Sequence, residues 1–226
     1  MPHRKTVIFD AYGTLFDVAG SARLAAAEPG GEALAGHWAA LAEVWRRKQL
    51  EYCWLRTLMK AHADFAEVTA EALDWAMEAQ GLRDPRLRAR LLALYDSLPA
   101  YPEVPQVLAT LKARGLRLGI LSNGTPAMLR AATAAAGIAD DLEVVLSVEA
   151  AGLYKPAAEA YALVTLHLGV AKEKVLFVSS NGWDVAGAAR FGFATVWVNR
   201  GAVPIDRLPH GPNHIIPDLS HLPVIA

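Results

Sequence analysis

The sequence predicts a doubly wound α/β fold, a parallel sheet with helices on both faces, carrying an all-helical insertion. Three observations lead to it. Short apolar runs of Val, Ile, Leu or Phe end in small or polar residues, as strands buried on both faces do. Between these runs lie Ala- and Leu-rich stretches with helical spacing. The alternation then stops between Phe16 and Leu98, where no strand pattern is present.

The run from Thr6 to Phe9 is expected to be the first strand. The insertion follows it, with periodic segments from Glu32 to Lys60, Val68 to Gln80 and Pro85 to Tyr95. Pro99, Pro102 and Pro105 mark the return to the core. Residues 1–16 and 98–226 are therefore expected to form the α/β domain, and residues 17–97 a helical domain. Further strands are expected from Leu116 to Leu121, Val144 to Val148, Val175 to Val178 and Thr195 to Val198, with a weaker one from His214 to Ile216. Helices are expected over Pro126 to Ala136 and Ala157 to Leu168; the Ala131 to Ala136 run is explained by helix propensity.

A chain of 226 residues can bury a large core without disulfide or metal staples, and 54% hydrophobic with 20% charged residues is ordinary for a globular protein. The net charge of -1 gives no electrostatic reason to expect nucleic acid or an anionic membrane as partner. Cys53 is the single cysteine, so no internal disulfide can form and a reducing compartment is expected. After Met1-Pro2-His3-Arg4-Lys5 the apolar run is too short for a secretion signal, and no segment has the roughly 18 uninterrupted apolar residues of a membrane span. The expectation is a cytoplasmic protein.

In open α/β sheets, reactive groups gather at the carboxyl ends of the strands. The first strand ends in Asp10-Ala11-Tyr12-Gly13-Thr14-Leu15, and the second in Ser122-Asn123-Gly124-Thr125. A Lys155-Pro156 pair follows the third, and the fourth ends in Ser179-Ser180-Asn181-Gly182-Trp183-Asp184. One such cluster is unremarkable; four in order indicate a site.

The order Asp-x-x-Gly-Thr-Leu, Ser-Asn-Gly, Lys-Pro and Ser-Asn-Gly-x-Asp resembles the haloacid dehalogenase superfamily over nearly the whole chain. Two strings, Phe9-Asp10-Ala11-Tyr12-Gly13-Thr14-Leu15-Phe16-Asp17 and Trp45-Arg46-Arg47-Lys48-Gln49-Leu50-Glu51-Tyr52, are similar to its L-2-haloacid dehalogenase (type II) branch. The resemblance implies a Rossmann-like core with a helical cap, and hydrolysis of small L-2-haloacids to D-2-hydroxy acids through an aspartyl ester. It implies no cofactor and no metal, a 2-haloacid and a halide ion as small-molecule partners, and a homodimer. Two other readings are a phosphatase or phosphonatase of the same superfamily with altered loops, and a non-catalytic binding member.

Carried onto this chain, the resemblance makes Asp10 the nucleophile; a carboxylate becomes effective when dehydrated and aligned. A strand-end Asp can also simply cap a turn. Tyr12 stands where the superfamily's phosphatases carry a second Asp to protonate a leaving alkoxide, and a halide needs no such acid; an aromatic that only packs the loop fits the position equally. The fourth cluster offers one carboxylate, Asp184, beside Ser179, Ser180 and Asn181, a poor donor set for Mg²⁺. By resemblance Lys155 holds the negative charge of Asp10 and of the substrate carboxylate, and Tyr161 supports the lysine region, a position that ordinary helix packing also fits. Thr14 orients the nucleophile, Ser122 and Asn123 bind the substrate carboxylate and halide, and Arg46 receives the halide, as a permanently charged guanidinium can. Ala11, Tyr12, Leu50, Phe65 and Trp183 contact the leaving group and alkyl chain, and Asp184, Asn181 and Lys155, with Ser179 in the same loop, assist the attacking water. The family usually has Gln where this chain has Arg47. Isolated Ser and Asn at strand ends ordinarily form turns, and a lone helix arginine is ordinarily solvated. Trp45, Leu50, Tyr52, Trp54 and Leu55 predict that the Arg46 helix is predominantly buried. Cys53 reads as core, and His62, His167, His210, His214 and His221 as structural or exposed, since no spacing suggests ligation or a triad.

Overall fold

The computed structural model describes residues 5–226; Met1–Arg4, most of the N-terminal stretch that precedes the short apolar run, lie outside the described residues. The chain divides into two compact units, Met1–Phe16 with Ala100–Ala226, and Asp17–Pro99.

The first unit is built on a six-stranded parallel sheet in the order β3-β2-β1-β4-β5-β6. The strands are β1 (Thr6–Phe9), β2 (Arg117–Ser122), β3 (Val144–Ser147), β4 (Val175–Ser179), β5 (Ala194–Val198) and β6 (His214–Ile216). Register is fixed by pairs such as Ile8 with Gly119 and Ile8 with Phe177. Every residue of β1, β4 and β5 is buried, as expected of strands covered on both faces. Helices α5 (Val104–Ala113), α6 (Pro126–Ala135), α7 (Ala158–Leu168) and α8 (Gly182–Phe191) supply the crossovers. The chain moves outward from β1 through β2 to β3, then returns to β4 and moves the other way. Right-handed crossovers in opposite directions put α5 and α6 on one face and α7 and α8 on the other. Local signals agree with the boundaries. Thr125 caps α6 by accepting from the Met128 N–H at 3.1 Å, with Pro126 in the first turn, and α7 and α8 stop at Gly169 and Gly192 in left-handed conformation.

The second unit is helical: α1 (Gly20–Ala27), α2 (Trp38–Met59), α3 (Phe65–Ala79) and α4 (Pro85–Tyr95). Asp64 and Asp84 cap α3 and α4, and Pro85 opens α4. The periodic segment from Glu32 to Lys60 is not one helix, because Glu32–Leu34 forms a separate 3₁₀ turn before α2 begins at Trp38. The expectation of a predominantly buried Arg46 helix is corrected: α2 buries one stripe, Leu41, Ala42, Trp45, Gln49 and Cys53. Leu55, Leu58 and Met59 are exposed, because 22 residues make six turns and one neighbouring face covers only every third or fourth residue. Among the described residues no helix is long and apolar enough to cross a membrane.

Ile8 is fully buried at the centre of the sheet, so Ile8→Ala should lower the unfolding free energy by about 3 kcal/mol. Asp64→Ala, which removes only a cap, should cost about 1 kcal/mol. Urea unfolding monitored by circular dichroism should report both as midpoint shifts at unchanged slope.

Candidate active site

The carboxyl ends of β1, β2 and β4, neighbours in the sheet, bring the polar clusters together. Asp10 directly follows β1, its N–H bonded to the Val178 carbonyl of β4 at 2.9 Å. The chain then turns tightly, with the N–H groups of Thr14, Leu15 and Phe16 all directed at the Ala11 carbonyl. Gly13 sits at φ 88° in this turn, a conformation that disfavours any side chain, and an added Cβ would lie 3.1 Å from Ser180 Oγ.

Lys155 is 1% exposed and its ammonium spends its three hydrogens on three acceptors: Asp10 Oδ1 at 2.8 Å, Asp184 Oδ2 at 2.7 Å and the Leu121 carbonyl at 3.1 Å. Asp10 Oδ2 accepts from Thr14 Oγ1 and from Asn181 Nδ2, each at 2.9 Å, so both oxygens of the carboxylate are engaged. Asp184 Oδ1 accepts from the Tyr161 hydroxyl at 2.7 Å. Tyr161 thus joins the lysine region by way of Asp184. Asn181 also donates to the Tyr12 carbonyl at 3.3 Å, and its own N–H is held by Ser179 Oγ at 3.1 Å. The Ser180 N–H donates to Thr14 Oγ1 at 2.8 Å, tying the β4 loop to the β1 loop.

Burial alone would lower the pKa of Lys155, but the charges and hydrogen bonds of Asp10 and Asp184 outweigh it and raise the value. Burial raises the pKa of Asp184, with Lys155 opposing that shift and Asp10 adding to it. Burial first, and then the Asp184 charge, carry the Tyr161 hydroxyl well above its ordinary value, so it stays a proton donor. The two carboxylates thus already share a cation. Among the described residues no group of three or more His, Cys, Asp or Glu side chains could hold a metal. Mg²⁺ prefers several hard anionic oxygens, and the end of β4 and the loop after it set only the neutral side chains of Ser179, Ser180 and Asn181 beside these two carboxylates, a poorer donor set.

Ser122 is fully buried and its Oγ accepts from the Gly124 N–H at 3.2 Å; Asn123 Oδ1 accepts from the Lys155 N–H at 3.1 Å. Among the described residues neither the Ser122 hydroxyl hydrogen nor the Asn123 amide hydrogens have an acceptor, so both groups hold donors in reserve. Tyr12 is buried against Gly124, where an added Cβ would lie 2.7 Å from the ring. Trp183 is half-buried in the first turn of α8. Within the helical unit, Arg46 and Leu50 are half-buried on α2 and Phe65 is fully buried at the start of α3. Cys53 is buried, which pushes its thiol up to about 12 and leaves it unreactive.

Arg200 belongs to this neighbourhood although it is absent from the motif strings. It donates to the Thr14 carbonyl at 3.0 Å, pairs with Glu103 at 2.7 Å and stacks on Tyr101 at 3.7 Å. It lies just past the end of β5, so the strand-end rule points to it once it is applied to that strand as well. The Leu121 carbonyl carries no signal in sequence, because a backbone acceptor belongs to every residue.

A family model described as haloacid dehalogenase-like hydrolase matches residues 4–192. The (S)-2-haloacid dehalogenase 1 of Pseudomonas sp. (strain CBS-3) is 42% identical over 220 residues, covering 97% of this chain and 95% of that protein. The (S)-2-haloacid dehalogenase of Xanthobacter autotrophicus is 47% identical over 197 residues, covering 87% of this chain and 75% of that protein. A solved structure of the L-2-haloacid dehalogenase from Xanthobacter autotrophicus with chloropropionic acid covalently bound superposes with a TM-score of 0.87 at 40% identity, covering 98% of this chain and 97% of that one. By the extent of these matches, the chain belongs to the haloacid dehalogenase-like hydrolases.

Proposed function

We propose that this chain is a hydrolase acting on carbon–halide bonds, converting small L-2-haloacids to D-2-hydroxy acids without a metal. The observation that carries the reading is the setting of Asp10: Lys155, Thr14 and Asn181 engage both carboxylate oxygens, while position 12 holds an aromatic ring and no acid. That suits a leaving group that departs as a stable anion. The names of relatives at 42% and 47% identity support the same substrate class.

In the first step an oxygen of Asp10 attacks C2 from the side opposite the halogen. The C2–O bond forms as the carbon–halogen bond breaks, the halide leaves with the electron pair, and the configuration at C2 inverts. Ser122 and Asn123 offer their unused donors to the substrate carboxylate and halide. In the second step water attacks the carboxyl carbon of the Asp10 ester and the acyl–oxygen bond breaks. One water proton goes to the departing alkoxide and the other is released to solvent. Net, haloacid and water give hydroxy acid, halide and a proton. Asp184, Asn181, Ser179 and Lys155 hold the ester and the water, with Tyr161 fixing Asp184 and Lys155 balancing the charge on the carboxylates. Arg46 is assigned to the halide, and Ala11, Tyr12, Leu50, Phe65 and Trp183 to the leaving group and alkyl chain. These assignments rest on the matched motif strings. The division of labour between an α/β core (1–16 and 98–226) and a helical cap (17–97) is part of the same proposal, as are a homodimer and a cytoplasmic location.

Purified protein should release chloride from L-2-chloropropionate at the same rate with and without excess EDTA; loss of activity on chelation, or metal-dependent turnover of phosphate esters, would overturn the reading. After a single turnover in heavy-oxygen water, mass spectrometry should find label in the peptide carrying Asp10, because the incoming oxygen stays on the enzyme. Lys155→Met should abolish halide release. The same variant should lose about 3 kcal/mol of stability in denaturant titration, since it leaves two buried carboxylates without their cation.

A further inference from the structure

The buried stripe of α2 contains one residue that does not belong in an apolar seam. Gln49 is fully buried, and a buried amide is costly unless its donors and acceptor are met. Here they are. Its Nε2 donates to Thr69 Oγ1 at 2.7 Å and to the Tyr95 hydroxyl at 3.1 Å, and its Oε1 accepts from Arg46 Nη1 at 2.7 Å.

The orientation of this amide follows from proton counting. The Thr69 hydroxyl donates its only hydrogen to the Phe65 carbonyl at 2.5 Å, so towards Gln49 it can only accept. The amide NH₂ must then face Thr69, which turns the carbonyl towards Arg46, a side chain that can only donate. Tyr95 lies within reach of both ends of the amide, 3.2 Å from Oε1, and burial raises its pKa so that the hydroxyl keeps its proton. Arg46 acts on that hydroxyl too, through its charge and a hydrogen bond. Trp45 closes the cluster, its Nε1 donating to the Thr69 carbonyl at 2.8 Å and its ring 5.1 Å from that of Tyr95. The whole set comes from α2, α3 and α4 of the helical unit.

Packing alone does not require an amide here, since Met has nearly the same volume and no polar atoms to satisfy. What Gln49 adds is one fixed acceptor for the guanidinium three residues before it. A free arginine loses substantial rotamer entropy when it is ordered, and a group meant to meet charge developing on a leaving atom is most effective when its orientation is set beforehand.

We propose that Gln49, with Tyr95 and Thr69, is the positioning device for Arg46, holding its guanidinium in the orientation that receives the departing halide. The inference rests on the assignment of Arg46 to the halide in the proposed function. None of the three residues touches substrate in this scheme; they act through Arg46.

The test is a double-mutant cycle on Arg46→Ala, Gln49→Met and the pair, with steady-state kinetics on L-2-chloropropionate and L-2-bromopropionate. Gln49→Met should lower kcat about 10- to 100-fold with KM changed by less than about 3-fold. The loss should be larger for chloride, the poorer leaving group. In the Arg46→Ala background the same substitution should have no further effect on kcat, a coupling that a purely structural role does not produce. Tyr95→Phe, which deletes one hydroxyl, provides a second cycle should Gln49→Met fail to fold. Effects on kcat that multiply independently, or equal losses for both halides, overturn the inference and leave the dehalogenase reading intact. Full activity in Arg46→Ala removes the assignment of Arg46 itself, and the inference with it.

Discussion

Two buried carboxylates, on Asp10 and Asp184, converge on the ammonium of Lys155, and most of what the core unit does follows from that convergence. An ammonium has three hydrogens, and here each meets an acceptor from a different element: Asp10 just past β1, the Leu121 carbonyl near the end of β2, and Asp184 in the first turn of α8, which follows β4. The lysine is thus at once a charge and a pin. It neutralises part of the negative charge that burial would otherwise reject, and it sets the distance between three strand ends. Thr14 and Asn181 then add directional hydrogen bonds that a point charge cannot supply, fixing the plane of the Asp10 carboxylate.

The sheet order explains why these residues meet. With β1 flanked by β2 and β4, groups separated by more than a hundred residues in sequence emerge side by side. The chain reverses its direction of travel across the sheet between β3 and β4, and loops on the two sides of that reversal diverge to leave a crevice. Asp10 directly follows β1, the strand next to β4 in the sheet order. The second layer of support is less charged but equally specific: Tyr161 holds Asp184, Ser179 holds Asn181, and Arg200 holds the carbonyl of Thr14.

Much of this was legible in the sequence because two strong periodicities carry it. The strands could be located from short apolar runs, with β2 displaced by one residue, since Leu116 is apolar but lies outside the ladder while Ser122 is polar and lies inside it. The reactive clusters could be located because strand ends are where polar residues interrupt buried runs. Three features had no such signal. Helix α1 is only eight residues long, begins at a glycine and has no side-chain cap, so nothing marks its start although its Ala-rich composition favours a helix. The exposure of Leu55, Leu58 and Met59 depends on which face of α2 meets a neighbour, and an apolar side chain reads the same on either side. Gln49 reads as an ordinary helix residue until the proton accounting of Thr69 and Tyr95 is known.

The close seat of Gly124 under Tyr12 has a consequence for how this pocket can change. A side chain at position 124 cannot coexist with the aromatic ring as it stands, because the added Cβ would lie 2.7 Å from a ring carbon and 2.9 Å from the hydroxyl oxygen. The first and second loops are therefore not independent surfaces to be varied one at a time. A side chain at 124 has to follow or accompany a change at Tyr12, whereas a smaller residue at 12 meets no obstacle from Gly124, so the order of replacements decides which routes to a wider cavity are open.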